Sequence, residues 1–113
     1  MFGMRRKPKP EPRVLPEGAR RLHISFIGEV QGVGFRWTAQ LKAREVGITG
    51  WVRNESDGSV TMEIQGSNDE IARFFGLFNR SYANYPIEYI MDEKEEIPLD
   101  PTETDFEVRF NHS

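Results

Sequence analysis

Cysteine is absent from these 113 residues, which excludes disulfides, thiolate metal sites and cysteine nucleophiles. No apolar run approaches the ~20 residues a membrane-spanning helix requires. The N-terminus is basic but lacks the apolar stretch that follows such residues in a secretory signal peptide. Histidine is scarce, and His23 and His112 stand too far apart for a metal-ligand spacing, so neither is expected to do chemistry. The expectation from these absences is a soluble, cytoplasmic, monomeric protein that holds no metal and no cofactor.

What is present fits one small domain. Hydrophobic residues make up 37% of the chain, enough for a single core at this length. Charge is divided unevenly. Residues 1–22 carry seven Lys/Arg against two Glu, and residues 23–113 carry eight Lys/Arg against sixteen Asp/Glu. The opening stretch "MFGMRRKPKPEPRVLPEGARR" alternates proline with charge and shows no apolar periodicity. It cannot bury enough surface to offset its ordering entropy. Residues 1–21 are therefore expected to form a disordered basic arm, either a solubilising extension or an electrostatic tether, with the domain spanning 22–113.

Within that domain the periodicities are readable. "LHISFIGEV" places Leu22, Ile24 and Phe26 on one face of a strand. "FRWTAQLKAREVG" reads as a helix ended by Gly47, with Phe35, Ala39, Ala43 and Val46 on one side. Trp37 and Leu41 point elsewhere, either flanking the core or partly exposed. "ITGWVRN" and "SVTMEIQG" are strands joined by "ESDG", whose Asp57-Gly58 is a hairpin signal, and Val60, Met62 and Ile64 supply an inner face. "SNDE" offers a capping box, Ser67 with Glu70, ahead of a helix whose Ile71, Phe74, Phe75 and Phe78 form an apolar stripe. "YPIEYIM" is expected to be a fourth strand, "DEKEE" a solvated strand edge or loop, and "IPLDP" a loop. "DFEVRF" ends the chain as a strand with Phe106, Val108 and Phe110 on one face. The predicted order is β-α-β-β-α-β plus a short C-terminal strand. Both helices must then cover one face of an antiparallel sheet, which makes an α+β, ferredoxin-like α/β sandwich.

The glycine-rich stretch "GEVQGVGFRW", residues 28–37, follows the first strand and opens the first helix. Glycines at such a site let several backbone N–H groups face one point, and the positive end of a helix dipole faces the same point. With Arg36 at its end, the loop describes a socket for a small anion. It is neither a Walker A sequence, since no Gly-Lys-Ser/Thr follows, nor the dinucleotide fingerprint, whose glycines are spaced differently. Asn54, taken alone, reads as a turn residue before the hairpin.

"GxVQGVGFR" followed by "GITGWVRNxxDGSV" closely resembles the acylphosphatase family, and the likeness runs over most of residues 22–110. The resemblance implies hydrolysis of small acyl phosphates to carboxylate and inorganic phosphate, without metal or cofactor. It implies a phosphate cradle made by Gly28, Glu29, Val30, Gln31, Gly32, Val33, Gly34 and Phe35. Arg36 would bind the phosphoryl oxygens and Asn54 would hold the attacking water. The stretch "NRSYANYP" lacks the Gly-Pro turn common in the family, and the basic arm has no usual counterpart there.

Two other readings of this element order are a catalytically silent regulatory domain and a nucleic-acid-binding module. RNA-recognition domains stack bases on aromatics exposed on their central strands, whereas "SVTMEIQG" has none. With the folded part acidic, nucleic acid would be reached only through the arm.

Overall fold

The computed structural model describes residues 14–32, 34–83 and 89–110. Residues 1–13 of the expected arm, Val33 of the loop, residues 84–88 and the last three residues, His112 among them, lie outside it. Five strands and two helices follow in the order β1 (Arg20–Gly28), α1 (Phe35–Val46), β2 (Thr49–Asn54), β3 (Val60–Gly66), α2 (Asn68–Ser81), β4 (Tyr89–Ile97) and β5 (Phe106–Arg109). The sheet order is β4-β1-β3-β2-β5. Neighbours are antiparallel except at one edge, where β5 joins β2 in parallel, so the sheet is mixed.

Alternation along the strands divides the sheet into two faces. Leu22, Ile24 and Phe26 of β1, Val52 of β2, Val60, Met62 and Ile64 of β3 and Phe106 of β5 are buried in one core with both helices. α1 contributes Phe35, Ala39 and Ala43, and α2 contributes Ile71, Phe74 and Phe78, with Phe75 half-buried. α1 thus meets the core mainly with small alanines and α2 mainly with phenylalanines. The capping box at α2 is formed as expected. Ser67 Oγ accepts from the Glu70 amide at 3.2 Å, and the Glu70 carboxylate accepts from the Ser67 amide at 2.9 Å.

The opposite face is polar and its charges are paired. Arg21, only 4% exposed, reaches Glu63 at 3.1 Å and Glu103 at 2.8 Å. Gln65, fully buried, exchanges hydrogen bonds with the backbone of Asp100. These contacts fasten the 98–105 loop across the sheet. Arg20 pairs with Glu96 at 2.8 Å, and β1 starts at Arg20, so residues 20 and 21 of the expected arm belong to the sheet.

Three expectations need correction. The sheet, expected to be antiparallel, is mixed, because β5 pairs in parallel with β2. The fourth strand does not end at Met91 but runs from Tyr89 to Ile97, so "DEKEE" takes the strand-edge form of its two expected alternatives; the earlier part of "YPIEYIM", 85–88, lies outside the described residues. Nearly all its side chains are exposed, so its pairing with β1 rests on the backbone ladder and leaves no apolar alternation to read. Phe110 lies beyond β5 and is 55% exposed, so it does not continue the face of Phe106 and Val108.

β2 and β3 approach each other closely at Gly50. A Cβ added there would overlap the Glu63 carbonyl oxygen. Gly50→Ala is expected to lower stability by about 2 kcal/mol or more, through overpacking against backbone that cannot yield. Urea unfolding at neutral pH measures this, and an unchanged midpoint would contradict the close approach.

Candidate active site

The loop between β1 and α1 is held by two buried side chains. Val30 is 1% exposed and Phe35 2%, so both ends of the glycine-rich segment are drawn into the core. Phe35 meets Phe26 at 5.2 Å and Phe78 at 4.8 Å between ring centroids, both edge-on, and also packs against Tyr82 and Tyr89. Between these anchors the backbone must reverse within a few residues. Gly32 and Gly34 do so with φ of 79° and 73°, a region that a side chain would disfavour.

Gly34 is also the N-cap of α1, and no side chain caps the helix. No acidic residue occupies its first turn. The leading amides of an α-helix lack intrahelical partners, so this end presents unsatisfied donors and partial positive charge. Arg36, in that first turn, adds a full positive charge to it. Placing a cation there costs a few tenths of a kcal/mol to about 1 kcal/mol unless an anion offsets it. Among the described residues Arg36 makes no ion pair with a carboxylate. Its guanidinium lies 5.0 Å from the centroid of the Phe110 ring, and Nη1 donates to the Arg109 carbonyl at 3.5 Å. The chain just past β5 thus steadies the guanidinium without neutralising it.

Asn54 ends β2, opposite Val60 of β3. Its Oδ1 is buried and accepts no hydrogen bond from any described group. A buried amide oxygen normally has a partner, and among the described residues Thr49 Oγ1 is the other buried side-chain atom without one. The neighbouring carboxylate is committed elsewhere. Glu55 accepts from Arg53 and from Thr61 Oγ1, and the hydrogen bonds from Arg53 hold its carboxyl below the usual range against the opposing effect of burial. The hairpin that follows is fixed by Asp57, which accepts from the Ser59 amide and hydroxyl.

Arg36, Asn54, Val30, Gly32, Gly34, Phe35 and Trp37 line one pocket of about 260 Å³. Since a water occupies roughly 30 Å³ in the liquid, the pocket has room for a small anion and a few waters. Arg36 and Asn54, eighteen positions apart in sequence, therefore face the same space. Of the other expected cradle residues, Gly28 ends β1, Glu29 and Gln31 are exposed, and Val33 is outside the described set.

Gln31 has a role that its position in the motif did not disclose. Its Nε2 donates to the carbonyls of Glu55 and Ser59, each at 2.8 Å. It ties the cradle to the hairpin immediately after Asn54, so the two halves of the pocket share one frame. The contact of Phe110 with the Arg36 guanidinium was likewise not foreseen, because its apolar character suited a strand face equally well.

The fold and the pocket define a class: a ferredoxin-like α/β sandwich with a small polar socket at the start of its first helix. Comparison with known proteins narrows it. The acylphosphatase family model matches residues 22–108. An acylphosphatase of Oceanobacillus iheyensis is 38% identical over 91 residues, covering 80% of this chain and 99% of that protein. The structure of an acylphosphatase from Coxiella burnetii superposes with a TM-score of 0.65 at 30% identity, over 91% of this chain and all of the other. The T. kodakarensis HypF structure matches with a TM-score of 0.63 at 29% identity, over 80% of this chain but only 12% of that one, so the same unit also occurs inside a much larger protein. The chain belongs to the acylphosphatase family. It is a hydrolase whose substrates are small acyl phosphates and whose product is inorganic phosphate.

Other structural features agree with a small-molecule site. The paired strands β1 and β3 present no exposed aromatic on which a base could stack, among their described residues, and Trp51 of β2 is buried under Arg53 and Arg109. Among the described residues no helix is long and apolar enough to cross a membrane.

Gln31→Ala should lower turnover of acetyl phosphate by about ten- to a hundredfold, because the cradle and Asn54 lose their shared register. Stability should fall by only about 1 kcal/mol, the net worth of such hydrogen bonds. Phosphate release and urea unfolding test the two halves. A variant with unchanged turnover would mean that the loop keeps its shape without this tie.

Proposed function

We propose that the pocket bound by the 28–35 loop, Arg36 and Asn54 is where the acyl phosphate is hydrolysed, with the loop holding the phosphoryl group, Arg36 neutralising it and Asn54 holding the water. The observation that carries this reading is the meeting, in one small pocket, of an uncapped helix start, an arginine and a buried amide oxygen, the last two without a carboxylate partner or a donor, respectively, among the described residues.

The loop amides and the helix start bind the phosphoryl oxygens through donors that are already oriented, so little reorganisation is needed as charge shifts. The Arg36 guanidinium offers a planar fork matched to two of those oxygens and stays charged at any working pH. Asn54 Oδ1 accepts a hydrogen bond from water and directs its oxygen lone pair at phosphorus. The water oxygen bonds to phosphorus as the bond from phosphorus to the acyl oxygen breaks. The electron pair of that bond leaves on the carboxylate, and the water's proton passes to a non-bridging phosphate oxygen.

Because a carboxylate is a good leaving group, positioning and electrostatics suffice, and neither a strong general base nor a metal is required. The basic arm takes no part in this step on a small substrate. Hydrolysis of acetyl phosphate should accordingly persist at full rate in EDTA. Activity lost to the chelator and restored by a divalent cation would overturn the metal-independent mechanism and leave the fold untouched.

The two polar side chains are separable. Arg36→Ala should cut turnover by about a hundredfold or more and should weaken competitive inhibition by inorganic phosphate, since the guanidinium contacts the anion in ground and transition states alike. Asn54→Ala should lower kcat while leaving phosphate inhibition nearly intact. Asn54→Asp, which places a negative charge beside the phosphoryl group, should be at least as damaging. Full kcat in Asn54→Ala would return Asn54 to a turn residue.

A further inference from the structure

One edge of the sheet is acidic and open. β4 lies outermost in the order β4-β1-β3-β2-β5, so one side of its backbone meets no strand among the described residues. It carries Asp92, Glu93, Glu95 and Glu96, with Lys94 as its lone basic residue. Glu96 pairs with Arg20, whereas Asp92, Glu93 and Glu95 make no ion pair among the described residues. An exposed strand edge is a template for another extended chain. A second copy would bring the same four carboxylates against it, and like charges opposite one another destabilise a ladder. The edge suits a basic segment.

The chain carries such a segment and directs it here. Pro16 to Ala19 form a tight turn just ahead of β1, in which the Ala19 amide donates to the Pro16 carbonyl at 3.1 Å and Gly18 takes φ of 75°. A tight turn reverses the chain, so what precedes it runs opposite to β1 and therefore in the direction of β4. The Arg20–Glu96 ion pair ties this root to the end of β4, where Ile97 stands opposite Arg21. Both sides of β1 are already taken by β3 and β4, which leaves the outer side of β4 as the nearest free ladder. A turn is under about 7 Å wide and two extended residues, Val14 and Leu15, add about 7 Å, which spans the roughly 10 Å from β1 to a strand outside β4.

The sequence of the arm is suited to pairing on one side only. Prolines stand at 8, 10 and 12, alternating with Lys7, Lys9, Glu11 and Arg13. Successive N–H groups of an extended strand point to opposite sides, so the three missing donors fall on one side and the four intact ones on the other. Such a strand joins a sheet by one edge and closes it with the other. Three of the four residues with donors on the pairing side are basic.

We propose that residues 7–13 pair in parallel along the free edge of β4 in the same molecule. They form a sixth strand held by backbone hydrogen bonds and by Lys7, Lys9 and Arg13 against the acidic side chains. The strand closes an edge otherwise open to other chains. It stays clear of the phosphoryl pocket, which the β1–α1 loop, the start of α1 and the end of β2 enclose.

Amide hydrogen exchange, followed by NMR on the full chain at low ionic strength, tests this. The amides of Lys7, Lys9, Glu11 and Arg13 should exchange about tenfold or more slowly than in an unstructured peptide. Protection should fall about threefold or more in ~1 M NaCl, where the screening length is only about 3 Å. Glu11→Pro separates a ladder from simple charge attraction. It removes an acidic residue, which favours attraction to β4, and it removes a donor that faces β4. Protection at Lys7, Lys9 and Arg13 should be lost in Glu11→Pro and kept in Pro10→Ala, whose change lies on the outward side. Turnover of acetyl phosphate should be the same in both variants as in wild type.

Exchange at unstructured-peptide rates in the wild-type chain would overturn the proposal. Protection that survives Glu11→Pro would also overturn it, because charge alone would then hold the arm. Protection that grows with protein concentration would replace it with an arm exchanged between copies. A loss of turnover in either variant would place the arm at the pocket and not on β4.

Discussion

The rest of the active site depends on a packing constraint. Val30 and Phe35 are both buried, and the chain between them has to turn back on itself at the end of β1. The aromatic cluster around Phe35, formed by Phe26, Phe78, Tyr82 and Tyr89, fixes where α1 begins and therefore where its free amides point. The core and the socket are in this sense one structure. Moving Phe35 would move the helix start, and with it Arg36 and Trp37 on its first turn.

Several local features are unfavourable on their own and make sense only together. A helix without a capping side chain forgoes stabilisation that α2 obtains from its capping box. A guanidinium in the first turn opposes the helix dipole, and a buried amide oxygen lacks a donor among the described residues. On the proposed function each deficit has the same remedy, an anion accompanied by water. Such concentrations of unsatisfied groups are where a folded protein is expected to trade stability for function. The surrounding elements supply the rigidity that keeps the groups from satisfying one another: the Gln31 tie, the paired Glu55 and the Asp57 turn.

Much of this was legible in the sequence, for reasons that differ by element. Alternation in β1 and β3, the stripe on α2 and the Ser67–Glu70 box each arise from local rules, and the structure obeys them. The glycine spacing and Arg36 announced an anion socket, but Asn54 alone looked like a turn residue, and only the resemblance brought the two together. A fourth strand was expected but its extent was not, because an edge strand held by its backbone shows no hydrophobic period. The parallel pairing of β5 with β2 is a long-range choice that no local pattern records. Phe110 illustrates the same gap: its apolar side chain suited a strand face, yet it lies against a guanidinium contributed by a helix more than seventy residues earlier.

The central claim is that water attacks phosphorus in the socket and not the acyl carbon outside it. Single-turnover hydrolysis of acetyl phosphate in water enriched in oxygen-18 decides between the two bonds. Attack on phosphorus by water held at Asn54 predicts one labelled oxygen in the inorganic phosphate and none in the acetate. Label in the acetate would mean that the carbon–oxygen bond is the one broken, and the roles assigned to Arg36, Asn54 and the glycine-rich loop would not survive that result.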